Sequence, residues 1–204
     1  MTINLNEIYA QLKAWRHERG ITAESQKEGY IVNVMEELGE LATALREYER
    51  FSKTDLAYNL PDDLAYYDTV KKVAEHEIID ALCDISVFTI NAGADVDDNT
   101  KAKVIDITKT TILNSSFSSL LSYCGDYAGY VKAFSCFNDI LLVCAKLCEN
   151  YGFNFEIAML ETIKEISSRT GSYDEVSKKW IKDESDEAKA KWYQANYELA
   201  RIEK

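Results

Sequence analysis

Two segments constrain this fold most: VMEELGELATAL, residues 34–45, and EHEIIDALCDISVFTIN, residues 75–91. In the first, Val34, Met35, Leu38, Leu41, Ala42 and Leu45 recur with the 3.6-residue period of a helix that buries one face. In the second, apolar residues take most of the circumference beyond Glu77, which predicts a helix covered by other elements. Helices of this kind must be buried against one another, so the expected class is all-α, a helical bundle. With only 8 Gly and a single Pro, Pro61, in 204 residues, little turn chemistry is left for sheets.

The same period predicts a first helix over 4–19, a second over 24–51, a third over 71–92 and a basic, Thr-rich fourth over 98–114. Residues 52–70 hold Ser52, Asn59, Pro61 and the pair Asp62 and Asp63, and read as a loop or a loop with a short helix. One folding unit is expected, in three parts: 1–97 with the acid-bearing helices, 98–165, and a tail over 166–204. Laying DALCDISVFTINAGADVD over NDILLVCAKLCENYGFNF aligns Gly93 with Gly152 and Asp80 with Asp139. It also puts Cys136 where Glu77 stands and Val143 where Asp84 stands. The middle part is then either a worn repeat that keeps the packing and loses the acids, or a coincidence between two apolar helices. The tail is polar and locally basic, yet it carries Trp180, Trp192, Tyr193 and Tyr197, which a solvated tail does not need.

A formal net charge of −12 argues against a nucleic-acid polymer as partner, since such binding needs a basic face. No apolar run approaches the ~20 residues of a membrane span, and MTINLNEIYAQLKAW is amphipathic rather than a secretory signal. A cytoplasmic location is expected, without a membrane partner. The five cysteines, Cys83, Cys124, Cys136, Cys144 and Cys148, lie in apolar helical patterns and are expected as reduced, buried thiols.

The acids pose the chemical question. At 100° per residue, Glu37 and Glu40 border the buried face of the second helix and Glu36 lies on its far side, while Glu77, Asp80 and Asp84 make a stripe along the third. A solvated face normally mixes signs, because like charges at i,i+4 oppose a helix. Here Asp80 and Asp84 stand at that spacing with no cation between them. Oxygen ligands without His or Cys select Mg²⁺, or Mn²⁺, over zinc, so a divalent ion is the expected missing cation. His17 and His76 show no partners at catalytic spacing.

These residues resemble the signature of the MazG-like all-α nucleoside triphosphate pyrophosphohydrolases, a superfamily that also includes the dimeric dUTPases and is related to phosphoribosyl-ATP pyrophosphohydrolase. Its E-E-x-x-E stands as Glu36-Glu37-Leu38-Gly39-Glu40, and its E-x-x-D as Glu77-Ile78-Ile79-Asp80. The resemblance spans about 5–97 and extends to SRTGSYD, KKWIKD and KWYQANY in the tail. The stretch between Glu40 and Glu77 is longer than is usual in that family, and the middle of the chain has no counterpart in a short domain of this type. The resemblance implies Mg²⁺-dependent hydrolysis of a (deoxy)nucleoside triphosphate between the α and β phosphates, releasing monophosphate and pyrophosphate.

By the same match, Glu37, Glu40, Glu77 and Asp80 are the metal ligands, with Asp84 behind them. Glu36 is then a further ligand or the base that orients the water, unless it is a surface residue. Arg169, Lys179, Lys182 and Tyr193 in the tail are the expected phosphate donors, Lys179, Lys182 and Tyr193 by resemblance. Asn91 either reads a base edge or caps its helix. The expected assembly is a homodimer. Two other readings stay open: a non-catalytic helical relative that binds nucleotide or protein, and a phosphoribosyl-ATP pyrophosphohydrolase-like enzyme.

Overall fold

The two segments that dominate the sequence form the two longest helices. The computed structural model describes residues 2–52, 61–107, 117–129, 134–174, 176 and 179–203, without the side chains of 61–64, 128, 129, 134, 135 and 179. A strand β1 (Thr2–Asn4) leads into α1 (Asn6–Glu18), followed by α2 (Ala23–Ser52) and α3 (Pro61–Ala92). The pair α2 and α3 is antiparallel. Tyr30 meets Thr89 at one end through hydroxyls 3.2 Å apart, and the rings of Phe51 and Tyr67 lie 5.7 Å apart at the other.

Helix α3 begins ten residues earlier than the sequence predicts. Residues 61–70 are helical, where a loop or a short helix was expected. Pro61 suits a first helical position, having no N–H to leave unpaired, and the acids after it favour the positive end of the helix dipole. The rest of the expected loop, 53–60, lies outside the described residues.

The expected helix over 98–114 is not formed in its described part. Residues 104–106 are a strand, β2 (Val104–Asp106), paired antiparallel with β1 so that Ile3 faces Ile105, and both are buried. Val104, Ile105 and Ile107 are β-branched and lose less as a strand with an apolar partner than as a helix. Residues 108–114 are outside the described part.

Helices α4 (Phe117–Gly129) and α5 (Phe134–Asn150) complete a ring in which α2 packs on α3, α3 on α5, α5 on α4 and α4 back on α2. Its interior holds Val34, Leu38, Leu41, Ile78, Leu82, Ile85, Leu120, Phe137, Ile140 and Cys144, all at 3% exposure or less. Each such side chain contributes about 1.5–3 kcal/mol by leaving water. All five cysteines are free and buried, as expected. The chain is mostly helical, and among the described residues no helix is long and apolar enough to cross a membrane.

Helix α6 (Phe155–Ser168) lies across α1, α3 and α5. The tail after it is folded. Strands β3 (Gly171–Asp174) and β4 (Lys179–Lys182) pair antiparallel, then come a short helix α7 (Asp186–Lys189) and a 3₁₀ turn over Tyr197–Ala200. Gly171 lets the hairpin close. A Cβ there would stand 2.3 Å from the carbonyl oxygen of Ile181 and 2.8 Å from the indole nitrogen of Trp180. Any side chain would push β4, and Lys182 with it, away from β3.

Candidate functional site

The antiparallel run of α2 beside α3 sets the two acid motifs against each other. Glu36, Gly39, Glu40 and Thr43 fall on one line of α2 at helical spacing, and Glu77 and Asp80 on one line of α3; together they enclose an open cleft of about 510 Å³. Glu36, expected on the far side of its helix, is in the wall of this cleft. Glu36, Glu40 and Glu77 are solvent-exposed at its mouth, while Glu37, Asp80 and Asp84 are half-buried.

Carboxylates crowded in this way resist ionisation. Burial pushes the Glu37 carboxyl up to about 8, reinforced by the charges of Asp84, Glu40, Asp80 and Glu36. Asp84 is pushed up to about 7, by burial first and then by Asp80, against the pull of Arg169 and Lys182. Asp80 is also raised by burial, with Glu165 and Glu40 adding to the effect and the Tyr197 hydroxyl opposing it. That hydroxyl donates to Asp80 Oδ1 at 2.5 Å and lies 3.0 Å from Thr162 Oγ1, so a tail residue clamps an α3 carboxylate to α6.

One helical turn along α3 from Asp80, Asp84 enters the wall of a second pocket of about 110 Å³. Trp15 and Arg19 at the end of α1, Gln26 of α2, Val87, Phe88 and Asn91 of α3, Ile166 and Arg169 at the end of α6, and Trp180 and Lys182 of β4 form the rest. Arg19 is buried between two indoles, 5.2 Å from the Trp15 ring and 5.3 Å from that of Trp180. It also donates to the carbonyls of Ser167 and Arg169. This one side chain ties α1, α6 and the hairpin together behind the pocket. Arg169 donates from Nη2 to Glu165 at 2.7 Å.

Of the donors expected in the tail, Arg169 and Lys182 reach this pocket, and so does Asn91 from α3. Tyr193 does not: its hydroxyl donates to Glu161 and its ring carries the Lys164 ammonium 3.7 Å above its centre. The side chain of Lys179 lies outside the described residues. His76, without a partner at catalytic spacing in the sequence, has its Nε2 2.8 Å from Glu198 Oε1, midway along α3. Trp15 both packs against the core and lines the pocket.

Sequence reasoning missed Glu161 and Glu165 of α6, which accept from the tail backbone at Asn196 (3.0 Å) and Ala195 (2.8 Å). The signal was present. Glu161 and Glu165 stand at i,i+4 in FEIAMLETIKEI, the spacing of Asp80 and Asp84, though here Lys164 lies between them. Arg16 and Arg19 were also missed as site residues, since nothing in their local sequence distinguishes them; Trp180 and Tyr197 stand out in the tail but were not assigned to the site.

Among the described residues, no three acidic, His or Cys side chains form a ready-made metal cage. The donor set nevertheless fits a hard divalent ion: carboxylates face one another across the cleft, and burial first, then their mutual repulsion, raises the pKa of Glu37 and Asp84. Comparison with protein-family models, curated proteins and solved structures finds no match to this chain.

Proposed function

We propose that this protein is a Mg²⁺-dependent hydrolase of a nucleoside triphosphate, cleaving between the α and β phosphates to give monophosphate and pyrophosphate. The observation that carries this reading is the adjacency of an all-carboxylate cleft to a pocket holding Arg169 and Lys182. A triphosphate has this pattern in reverse: an anionic chain that travels with divalent cations, joined to a base with polar edges.

Glu36, Glu37, Glu40, Glu77 and Asp80 are the candidate ligands for Mg²⁺ or Mn²⁺. Such an ion, when bound, neutralises phosphate charge and lowers the pKa of a coordinated water. The chain's own groups do the rest. Tyr197 holds Asp80 in one orientation, which prepares that carboxylate before any ligand arrives. Arg169, fixed by Glu165, and Lys182 at the rim supply positive charge where an anion would otherwise meet only acids. Glu36, exposed in the cleft wall, would orient the attacking water and take its proton as the water oxygen bonds the α phosphorus and the bridging oxygen departs with pyrophosphate.

A homodimer would cover Ile31, Val32 and Met35, which are 44%, 59% and 53% exposed on α2. A monomer in sedimentation at micromolar concentration would remove that part of the proposal. The hydrolase reading is tested by incubating the protein with each ribo- and deoxynucleoside triphosphate in Mg²⁺ and detecting pyrophosphate. Release from at least one, lost in Asp80→Asn, is expected. No release from any would refute it.

A further inference from the structure

Between α1 and the segment that follows α3 lies a third pocket, of about 580 Å³, which shares no lining residue with the acid cleft or the small pocket. Its frame is tied together before anything binds. The N–H of Leu5 donates to the Lys103 carbonyl at 2.9 Å, the Tyr9 hydroxyl to that of Ala102 at 3.0 Å, and Lys101 Nζ to that of Ala94 at 3.2 Å. Asn138 of α5 fastens the same segment, donating to the Thr100 carbonyl and accepting from the Ala102 N–H. A cavity of this size falls within the ~300–1,000 Å³ of small-molecule sites.

The pocket carries charge of both signs, unequally committed. Lys13 and Arg16 of α1 and Lys103 before β2 line it, and among the described residues none of the three has a carboxylate partner. Arg16 is half-buried, and its one hydrogen bond among the described residues goes to the neutral amide oxygen of Asn91 at 2.5 Å. Burial lowers the pKa of its guanidinium, where a counterion would hold it up. The acids of the wall do not supply that counterion. Asp95 is held by Lys27 and Asp98 by Lys101, while Asp97 accepts from the backbone and side-chain amides of Asn99. In a chain of net charge −12, three uncommitted cations in one pocket reverse the overall field. Ile90 and Val96, both buried, and the Tyr9 ring give the same pocket an apolar surface.

We infer that this pocket is a second ligand site, for a small phosphomonoester with a hydroxyl-bearing body. The phosphate takes Lys13, Arg16 and Lys103, hydroxyls donate to the exposed Asp97 and Asp98 carboxylates, and the carbon skeleton lies over Ile90, Val96 and Tyr9. A longer phosphate chain would carry its added charge onto those acids, so the site favours a single phosphate. Sugar phosphates and nucleoside monophosphates share this chemistry. The site uses neither the acid cleft nor Arg169 and Lys182, and so stands apart from the hydrolase reading.

Titration calorimetry of the intact protein in chelator tests it, with ribose 5-phosphate, adenosine and uridine monophosphates, inorganic phosphate and free ribose as probes. Without metal the acid cleft repels anions, which leaves this pocket in view. Ribose 5-phosphate should bind at one site per chain, at least about tenfold more tightly than inorganic phosphate, and ribose should not bind. Tighter binding of the nucleoside monophosphates than of ribose 5-phosphate would identify the occupant as a nucleotide, and equal binding as a sugar phosphate; either supports the site. Lys13→Glu and Lys103→Glu should each weaken ribose 5-phosphate by at least about tenfold, since each turns an attraction into a repulsion. Lys72→Glu makes the same change of net charge on α3, eighteen residues before Ile90 and so about 27 Å away along the helix, and should leave the affinity within about twofold, as should Lys182→Ala. Lys13 and Lys103 are exposed, so neither reversal should disturb the fold; if circular dichroism shows that one does, the other decides.

No binding of ribose 5-phosphate, equal binding of inorganic phosphate, or native affinity in Lys13→Glu and Lys103→Glu would each overturn the inference. Loss of binding in Lys182→Ala would overturn it too, by moving the ligand to the small pocket. None of these results depends on pyrophosphate release, so failure here leaves the hydrolase reading standing, and failure of that reading leaves this site standing.

Discussion

Replacing Asp84 by Asn should stabilise the metal-free protein at alkaline pH and leave it unchanged in acid. Asp84 keeps its proton up to about 7, through burial and the neighbouring charge of Asp80, against a value near 4 in an unfolded chain. Between those two values the unfolded chain loses the proton first. Stability therefore falls as pH rises from about 4 and levels off above about 7. Roughly three units at 1.36 kcal/mol each would give ~4 kcal/mol. Asp84 is only half-buried and shares its strain with Asp80 and Glu37, so water and coupled titration reduce this to about 2 kcal/mol. Asn keeps the shape and removes the charge. Urea unfolding in the presence of a chelator should thus show Asp84→Asn more stable by about 2 kcal/mol at pH 8 and nearly equal at pH 4. With Mg²⁺ at pH 8 the gain should shrink, because the ion already neutralises the cluster. The same difference at both pH values, or a loss at pH 8, would refute the account of the acids as crowded and unneutralised.

Millimolar Mg²⁺ or Mn²⁺ should raise the melting temperature by mass action on the folded state, and Asp80→Asn should remove that response while the protein still folds. A thermal scan that ignores both ions would count against a metal site between α2 and α3. Gly93→Ala should cost about 1–3 kcal/mol in urea unfolding, because a Cβ there would lie 2.6 and 2.7 Å from the Phe137 ring and 3.0 Å from the Tyr127 hydroxyl. A neutral result would mean that Phe137 turns aside at little cost.

The helices were legible wherever one face is apolar and the period holds for several turns. α2 lies within a residue of its predicted ends, because Val34, Leu38 and Leu41 leave no choice of face. The start of α3 was misread because Pro61 with its two acids signals a turn and a helix N-terminus equally well from sequence. β2 was misread as helix because three residues carry too short a pattern, and their partner β1 is about a hundred residues away. The acid cleft was legible in part: Glu77 and Asp80 line it at the expected i,i+3 spacing, but on α2 it is Glu36, expected on the far side, that lines it with Glu40. The Asn91 pocket was legible only in fragments. Its walls come from α1, α2, α3, α6 and β4, and no local pattern records that Arg16 or Arg19 will arrive there.

The tail could be read from sequence as a basic segment that closes over an anionic ligand, but its contacts make it part of the site before any ligand binds. Glu161 and Glu165 of α6 take up its backbone N–H groups at Asn196 and Ala195, and Ser168 Oγ accepts from the N–H of Tyr193. Those contacts deliver Tyr197 to Asp80 and hold Arg169 beside Asp84. The acids of α6 therefore do two opposed things. As charges they raise the pKa of Asp80, through Glu165, and as acceptors they dock the segment whose hydroxyl and guanidinium oppose that rise. A crowded carboxylate of the cleft is thus met by donors from a distant part of the chain. For the proposed site, which takes a cation and an anion together, this is preorganisation, since the donors stand in place without waiting for either.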